Sequence, residues 1–544
     1  MAANTAGDEK HPPIDHAEEG EHGDITGNWK AVNESGRQAA LVEHELTLKQ
    51  AFKKYPGAII WSVLVSTTVI MEGYDLVLIG SMFGQPAFQK KYGNYYPELD
   101  GYQISGPWQI ALGNSGTIGA IFGAIANGYF VQIFGYRRVL IASLFFVTAF
   151  IFIIFFAQNI ETLLVGEILI GLPWGVFATM APAYASEVCP VALRGYLTIY
   201  VNLCWAFGQL ISAGVNQGFS ENSSEWAYRI PFAIQWVWPV PLAAIIFFAP
   251  ESPWWLVQKE RLEDAEKAIK RLASKSLTTH AAKQTVAMMM HTHEIERETS
   301  SGTSYWDCFK GVDLRRTEIV MLVFSAQIWS GLDLGGNPTY FFEQAGVPTS
   351  AAFKFSVGGL GLACIGTFLS WFLLAHMGRR TIFVWGLGVL AIVLLIVGIL
   401  SAASASSASS YGQAGLILAW LFLYYTTVGP VTYAIISETS AIQLRNKSVC
   451  LSRIGYYLTG IVCATIQPYM MNPTEGNWKG KTCFFWAGTC SVAWLWSYFR
   501  LPETGGRTYE ELDILFANKV PARKFAGAAV DAYGETNEAR LTVN

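Results

Sequence analysis

Four ionisable residues stand inside stretches that are otherwise apolar: Glu72, Asp75, Glu167 and Arg453. In hydrocarbon such a side chain costs roughly 2.5–3.5 kcal/mol on insertion scales, so each is a candidate for work that needs a charge or a proton. Glu72 and Asp75 are three apart and share one face of a helix. Counted from the outer ends of their stretches, Asp75 and Glu167 lie about six residues deep, roughly 9 Å at 1.5 Å per residue, which puts them in one layer. Three carboxyl groups in one poorly solvated layer repel one another when ionised, so at least one is expected to hold a proton near neutral pH. Asp75 is the expected main proton carrier, with Glu72 and Glu167 sharing or tuning it. The plainer alternative is that Glu72 and Glu167 cap water-filled crevices or bond to backbone. Arg453 sits near one end of its stretch, within snorkelling range, where a structural role competes with one as partner to the acids.

The elements that must hold these groups follow from composition. Of 544 residues, 52% are hydrophobic and 14% charged, well below the quarter typical of soluble domains. Apolar runs long enough to cross a bilayer recur near 58–81, 107–130, 139–157, 161–183, 195–218, 230–249, 317–341, 353–375, 381–401, 413–436, 448–470 and 483–501. The expected fold is all-α, a polytopic membrane protein of twelve transmembrane helices in two six-helix bundles. Pro173, Gly175, Pro182, Gly429 and Pro430 inside runs predict kinked helices around a cavity. Lys49, Lys53, Lys54, Arg137, Arg138, Arg194, Arg379, Arg380, Arg445 and Lys447 fall on one side of the spans, which marks that side as cytoplasmic. The expected organisation is a cytoplasmic tail over 1–54, a first bundle over 55–250, a partly helical cytoplasmic linker over 251–316, a second bundle over 317–501 and a cytoplasmic tail over 502–544. Residues 1–54 lack the short apolar core of a secretory signal, so the first span is expected to direct insertion.

Other motifs carry little. The eight cysteines show no Cys-x-x-Cys pair and read as packing residues. His291, His293 and Glu294 lie in a polar helical stretch where solvation is the ordinary outcome, and Gly476 to Thr482 misses the phosphate-loop spacing by one residue. No metal, cofactor or nucleic-acid partner is expected, no nucleophile stands beside a base, and the chain is expected to act as a monomer in the bilayer. Asn222-Ser223-Ser224 is a glycosylation sequon on the outer side.

Three motifs occur twice. Ser186-Glu187 with Leu193-Arg194 recurs as Ser437-Glu438 with Leu444-Arg445, displaced by 251 residues; Arg137-Arg138 recurs as Arg379-Arg380, displaced by 242; Pro250-Glu251-Ser252 recurs as Pro502-Glu503-Thr504, displaced by 252. Two homologous halves of six spans follow, with a binding site near the midplane between them and rocking of one half against the other. Glu187 with Arg194, and Glu438 with Arg445, are expected to close the cytoplasmic ends by charge-assisted contacts, against the alternative of simple positive-inside anchoring.

Gly-Tyr-Arg-Arg at 135–138, Ser-Glu-x5-Leu-Arg-Gly at 186–195, Pro-Glu-Ser-Pro at 250–253, Gly-Arg-Arg at 378–380 and Pro-Glu-Thr-x-Gly-Arg at 502–507 resemble the sugar porter family of the major facilitator superfamily. Glu-Gly-Tyr-Asp at 72–75 and the text of 184–195 look like the fungal alpha-glucoside (maltose) permeases, which are proton symporters. The resemblance implies a proton-coupled importer of an alpha-glucoside such as maltose, with a passive facilitator or a non-transporting sugar sensor as alternatives. It also implies Gln209, Gln327 and Tyr433 as sugar contacts, although each polar group could instead bond between helices. In the seventh span Ile328 and Asp333 depart from the family's glutamine and asparagine, so Asp333 or Asn337 is expected to supply the missing bonds, in a site larger than one hexose needs. Glu167 stands where the family's fourth-span arginine is expected. Gln132, Ile133 and His376 depart from the family's charged loop positions, which implies a weaker latch or one that leans on Glu187, Arg194, Glu438 and Arg445.

Overall fold

In the computed structural model, residues 29–83, 85–96, 101–219, 224–299, 304–336, 341–342, 344–403, 406–441, 443–471, 476–530 and 541–543 are described. Asn222 and Asn337 lie outside them. Twelve spans run in the expected order: Pro56–Met82, Gly106–Phe134, Tyr136–Phe155, Ile160–Val188, Val191–Phe219, Trp226–Ile246, Gly311–Trp329, Thr349–His376, Arg379–Ala403, Ser407–Thr439, Arg445–Met471 and Thr482–Arg500. Ten are long and apolar enough to cross a membrane by composition alone. The seventh starts within charged sequence, with Asp313, Arg315, Arg316 and Glu318 in its first turns, and the twelfth mixes Trp486, Trp494, Trp496 and Tyr498 with small polar residues, which lowers its mean hydropathy.

The helices start where local chemistry supplies missing acceptors. The Asn159 side chain accepts from the Thr162 N–H at the head of the fourth span, and Ser252 accepts from Trp255 at the head of Pro253–Gln258. Several spans break near mid-depth. In the first, the Thr67 and Thr68 hydroxyls donate to the carbonyls of Leu64 and Val65 at 2.6 and 2.7 Å, where the helix is interrupted. Gly331, at φ +95°, ends the regular seventh span, and Thr427 interrupts the tenth. The sixth passes through a 3-10 turn at Gln235–Val237 between Pro231 and Pro239. Irregular backbone at this depth belongs where helices face one another or a cleft.

Close packing fixes the first span. A Cβ at Gly73 would lie 2.2 Å from the Trp205 carbonyl oxygen, and one at Gly208 would lie 2.2 Å from that of Ile70. The first and fifth spans therefore meet backbone to backbone over Ile70 to Tyr74, the turn that carries Glu72 and leads into Asp75. Two hydrophobic cores result, one built mainly from residues 51–289 and one mainly from 319–528. Outside them a belt of large apolar side chains is exposed, including Phe145, Phe248, Trp385 and Val492, as lipid contact requires.

Shorter helices gather at one end of the bundle, called here the linker side: Trp29–Glu45, Pro253–Gln258, Leu262–Leu272, Thr279–Thr299 and Tyr509–Ala517. The partly helical linker expected over 251–316 thus holds three α-helices. His291 and Thr292 bond to Glu510, and Arg316 pairs with Asp513 at 2.5 Å, tying the tail helix to the linker and to the seventh span.

Candidate functional site

Two clusters of buried polar groups join the spans. At mid-depth, Arg453 Nη2 lies 2.5 Å from Glu72 Oε1, and both residues are almost fully buried. The Tyr457 hydroxyl donates to the same Glu72 oxygen at 3.0 Å and accepts from Arg453 Nε at 3.1 Å. The guanidinium faces the rings of Phe324, Tyr456 and Tyr457 at 5.2, 4.7 and 4.9 Å. Its apolar faces are thus covered while its N–H edge meets the carboxylate. This pair links the first half to the second, and of the two roles open to Arg453 it is the one as partner to the acids that the geometry takes: about two helical turns into its span, with the first half across from it, the side chain reaches Glu72.

Asp75 faces the other way. Gln235 Nε2, from the 3-10 turn of the sixth span, donates to Asp75 Oδ1 at 2.5 Å, and the Asp75 and Glu167 carboxyl groups are hydrogen-bonded to each other. Two carboxylates have only acceptor oxygens, so a bond between them requires a proton on one. Glu167 Oε1 has no further partner. The expected layer of three acids is therefore two units, an ion pair at Glu72 and a proton-sharing pair at Asp75 and Glu167.

The residues expected to contact sugar lie on facing spans. Gln209 accepts from the Tyr425 hydroxyl at 3.2 Å across the two halves, and Gln327 donates to the Gly429 carbonyl at 2.9 Å beside the break in the tenth span. Tyr433 packs edge-on against Phe324 at 5.3 Å, next to the Arg453 cage. Asp333 Oδ2 is buried without a hydrogen-bond partner.

The second cluster closes the linker side. Glu187 accepts from Tyr136 at 2.7 Å and from Ser252, and Arg445 of the second half approaches it at 3.5 Å. Glu438 accepts from Arg379 at 3.1 Å and from Thr504 at 2.7 Å. Glu251 accepts from the backbone N–H groups of Tyr136 and Arg137 at 2.8 and 3.2 Å, and Glu503 accepts from those of Arg379 and Arg380 at 2.8 and 3.1 Å. Each acid thereby caps the N-terminus of its half's third helix. Burial lifts the Glu251 carboxyl above its ordinary range, while the N–H groups of Ser252, Tyr136 and Arg137 pull it back down.

These contacts correct three expectations. The acids do not pair within their own motifs, since Glu187 meets Arg445 and Glu438 meets Arg379. The repeat of the third and ninth spans is displaced by 243 residues, one more than the arginine text suggests, because the backbone caps match Tyr136 to Arg379 and Arg137 to Arg380. Arg137 lies over the Phe247 ring, Arg138 is exposed, and Arg380 donates to the carbonyls of Leu501 and Tyr498, so these three side chains stand outside the acid clusters. Arg194 and Arg445, equivalent in the two halves, stack on opposite sides of one ring: their guanidinium carbons are 3.7 and 3.9 Å from the centroid of Tyr509. The Tyr509 hydroxyl donates to the Ser186 carbonyl at 3.2 Å.

Gln235, Tyr457, Tyr136 and Tyr509 were not foreseen. An amide inside an apolar run pointed to Gln235, and the hydroxyl shared by Ser252 and Thr504 in the repeated Pro-Glu-Ser/Thr text pointed to their common bond.

A duplicated twelve-helix bundle, with a buried ion pair between its halves, a buried acid pair within the first and matched clusters at one end, defines an integral membrane transporter of the major facilitator fold. The chain belongs to the family described as Sugar (and other) transporter, whose model matches residues 61–516. It is 42% identical over 513 residues to the general alpha-glucoside permease of Saccharomyces cerevisiae, covering 93% of this chain and 83% of that protein. It is 40% identical over 521 residues to the maltose permease MAL31 of the same organism, covering 94% and 84%. Among solved structures, the proton:xylose symporter XylE bound to 6-bromo-6-deoxy-D-glucose superposes with a TM-score of 0.74 at 20% identity, covering 85% of this chain and 100% of that one. The last likeness bears on the fold alone.

Proposed function

We propose that this transporter imports an alpha-glucoside, such as maltose or a related oligosaccharide, together with protons by alternating access. The observation that carries the proton-coupled reading is the hydrogen bond between the Asp75 and Glu167 carboxyl groups, which holds a proton inside the bundle. The names of the permeases above supply the substrate class. Asp75 is the main carrier, Glu167 shares its proton, and Gln235 orients it. Glu72 and Arg453 convey the state of the first half to the second, because their pair must stretch or re-form when the halves rock.

Gln209, Gln327, Asp333, Asn337 and Tyr433 form the sugar site, where amides and carboxyl donate and accept while the tyrosine ring covers an apolar sugar face. The linker side is cytoplasmic, both termini lie there, and the protein resides in the plasma membrane as a monomer. Glu187, Arg194, Arg379, Glu438 and Arg445 hold the cytoplasmic side shut in this arrangement; Arg137, Arg138 and Arg380 anchor its rim.

The test is uptake of labelled maltose, competed by a panel of glucosides and hexoses, with simultaneous recording of medium alkalinisation. Maltose-dependent alkalinisation that disappears in Asp75→Asn is the expected result. Uptake insensitive to external pH would mean a passive facilitator, and binding without flux into vesicles would mean a sensor.

A further inference from the structure

A partly open cavity of about 210 Å³ lies on the linker side, between the short helices there and the head of the fifth span. Its wall includes Lys54, Arg194, Trp254, Leu272, Met288 and Met289. Arg194 is 3% exposed, and its Nε and Nη1 find no hydrogen-bond acceptor. Its counterpart in the second half, Arg445, has the Glu187 carboxylate at 3.5 Å. A buried guanidinium with unanswered N–H groups is costly, and an anion is what answers it.

Charge and shape both narrow the occupant. Glu187 and Glu43 also line the cavity, but Glu187 is taken by Tyr136, Ser252 and Arg445, and Glu43 accepts the Val191 N–H at 2.8 Å. The wall carries Lys54 and Arg194 against Glu43 and Glu187; Arg445, outside the wall, neutralises Glu187, which leaves one positive charge over. The remaining wall is aliphatic and aromatic. A dry cavity of about 150 Å³ is enough to take benzene, so this one has room for a ring-sized apolar body with one anionic head.

We propose that this cavity is a cytoplasmic binding site for a compact amphipathic anion, a carboxylate or phosphate monoester whose head answers Arg194 and Lys54. Arg194 and Arg445, one from each half, clasp Tyr509 in this arrangement, so an occupant held by Arg194 favours it and slows entry to the inward-facing one. That consequence rests on the transport reading above; binding itself does not.

The experiment uses the purified full chain in lipid nanodiscs and phenyl phosphate as probe, read by calorimetry and by the thermal-unfolding midpoint. Saturable binding is expected, tighter than that of inorganic phosphate, weakened at least tenfold in Lys54→Gln. It should be lost in Met288→Glu, which supplies a carboxylate on the cavity wall; Gln284→Glu is the second variant should the first not fold. An equal midpoint shift from neutral benzyl alcohol, or from sodium chloride at matched ionic strength, overturns the proposal, as does unchanged affinity in both glutamate variants. In vesicles loaded with phenyl phosphate, maltose counterflow should slow in wild type and not in Met288→Glu. Binding without that slowing would refute the regulatory consequence and leave the site standing.

Discussion

Glu72 of the first half and Arg453 of the second meet at 2.5 Å deep inside the bundle, 381 residues apart in the chain. The pair is a buried charged link between the halves, and it is separate from the acid pair beside it. Breaking one partner should therefore differ from removing both. Glu72→Gln or Arg453→Met alone leaves a buried charge unmatched, which typically costs about 3–5 kcal/mol. Replacing both together should recover a large part of that loss. A double-mutant cycle on unfolding midpoints in detergent checks it, and additive losses would show that the two side chains do not interact.

Asp75→Asn keeps the bond from Gln235 but removes the group that exchanges a proton with Glu167. Concentrative uptake driven by a pH gradient should fall at least tenfold, while sugar counterflow at equal pH on both sides persists. If both activities fell together, Asp75 would be serving sugar binding or folding instead of coupling.

Tyr509→Leu removes the ring between Arg194 and Arg445, a loss of about 1–2 kcal/mol from two desolvated cation–aromatic contacts. The linker side should open more often. Cys450, fully buried and within 3.9 Å of the Asn127 amide of the other half, reports that opening. With the other seven cysteines replaced, maleimide should modify Cys450 several-fold faster in Tyr509→Leu than in its parent.

Glu251 provides a pH signature outside the membrane. Burial raises its carboxyl above the usual range, so the folded chain binds this proton more tightly than the unfolded chain. Its contribution to stability is thus complete below the unfolded value of about 4.3 and declines as pH rises through the raised one. Glu251→Gln should flatten that part of the unfolding midpoint against pH. An unchanged slope would place the titration elsewhere.

Spans and charges were legible because each is a property of one stretch of chain. Twelve apolar runs announced twelve helices, and Glu72, Asp75, Glu167 and Arg453 stood out against hydrocarbon. Partnerships were not legible, since they depend on how helices rotate about one another. Nothing in the spacing of Ser-Glu-x5-Leu-Arg indicates that Glu187 reaches past its own Arg194 to Arg445. The doubled arginines at 137–138 and 379–380 suggested an alignment one residue out, because Tyr136 takes the place of Arg379 with a hydroxyl where a guanidinium was expected. The choice between the two roles of Arg453 stayed open for a related reason: depth can be read along its own helix, whereas its partner Glu72 stands on another.

The contact of Gly73 with the Trp205 carbonyl has a bearing on how the acids can act. Backbones pressed that tightly cannot slide, so Glu72 and Asp75 travel with the fifth helix as parts of a single lever. Neither acid can be swung alone to collect or discharge its proton; whatever brings one of them to water tilts the entire half and strains the grip on Arg453. A methyl group at position 73 would wedge that lever apart at its fulcrum, disabling transport while leaving every ionisable group in place.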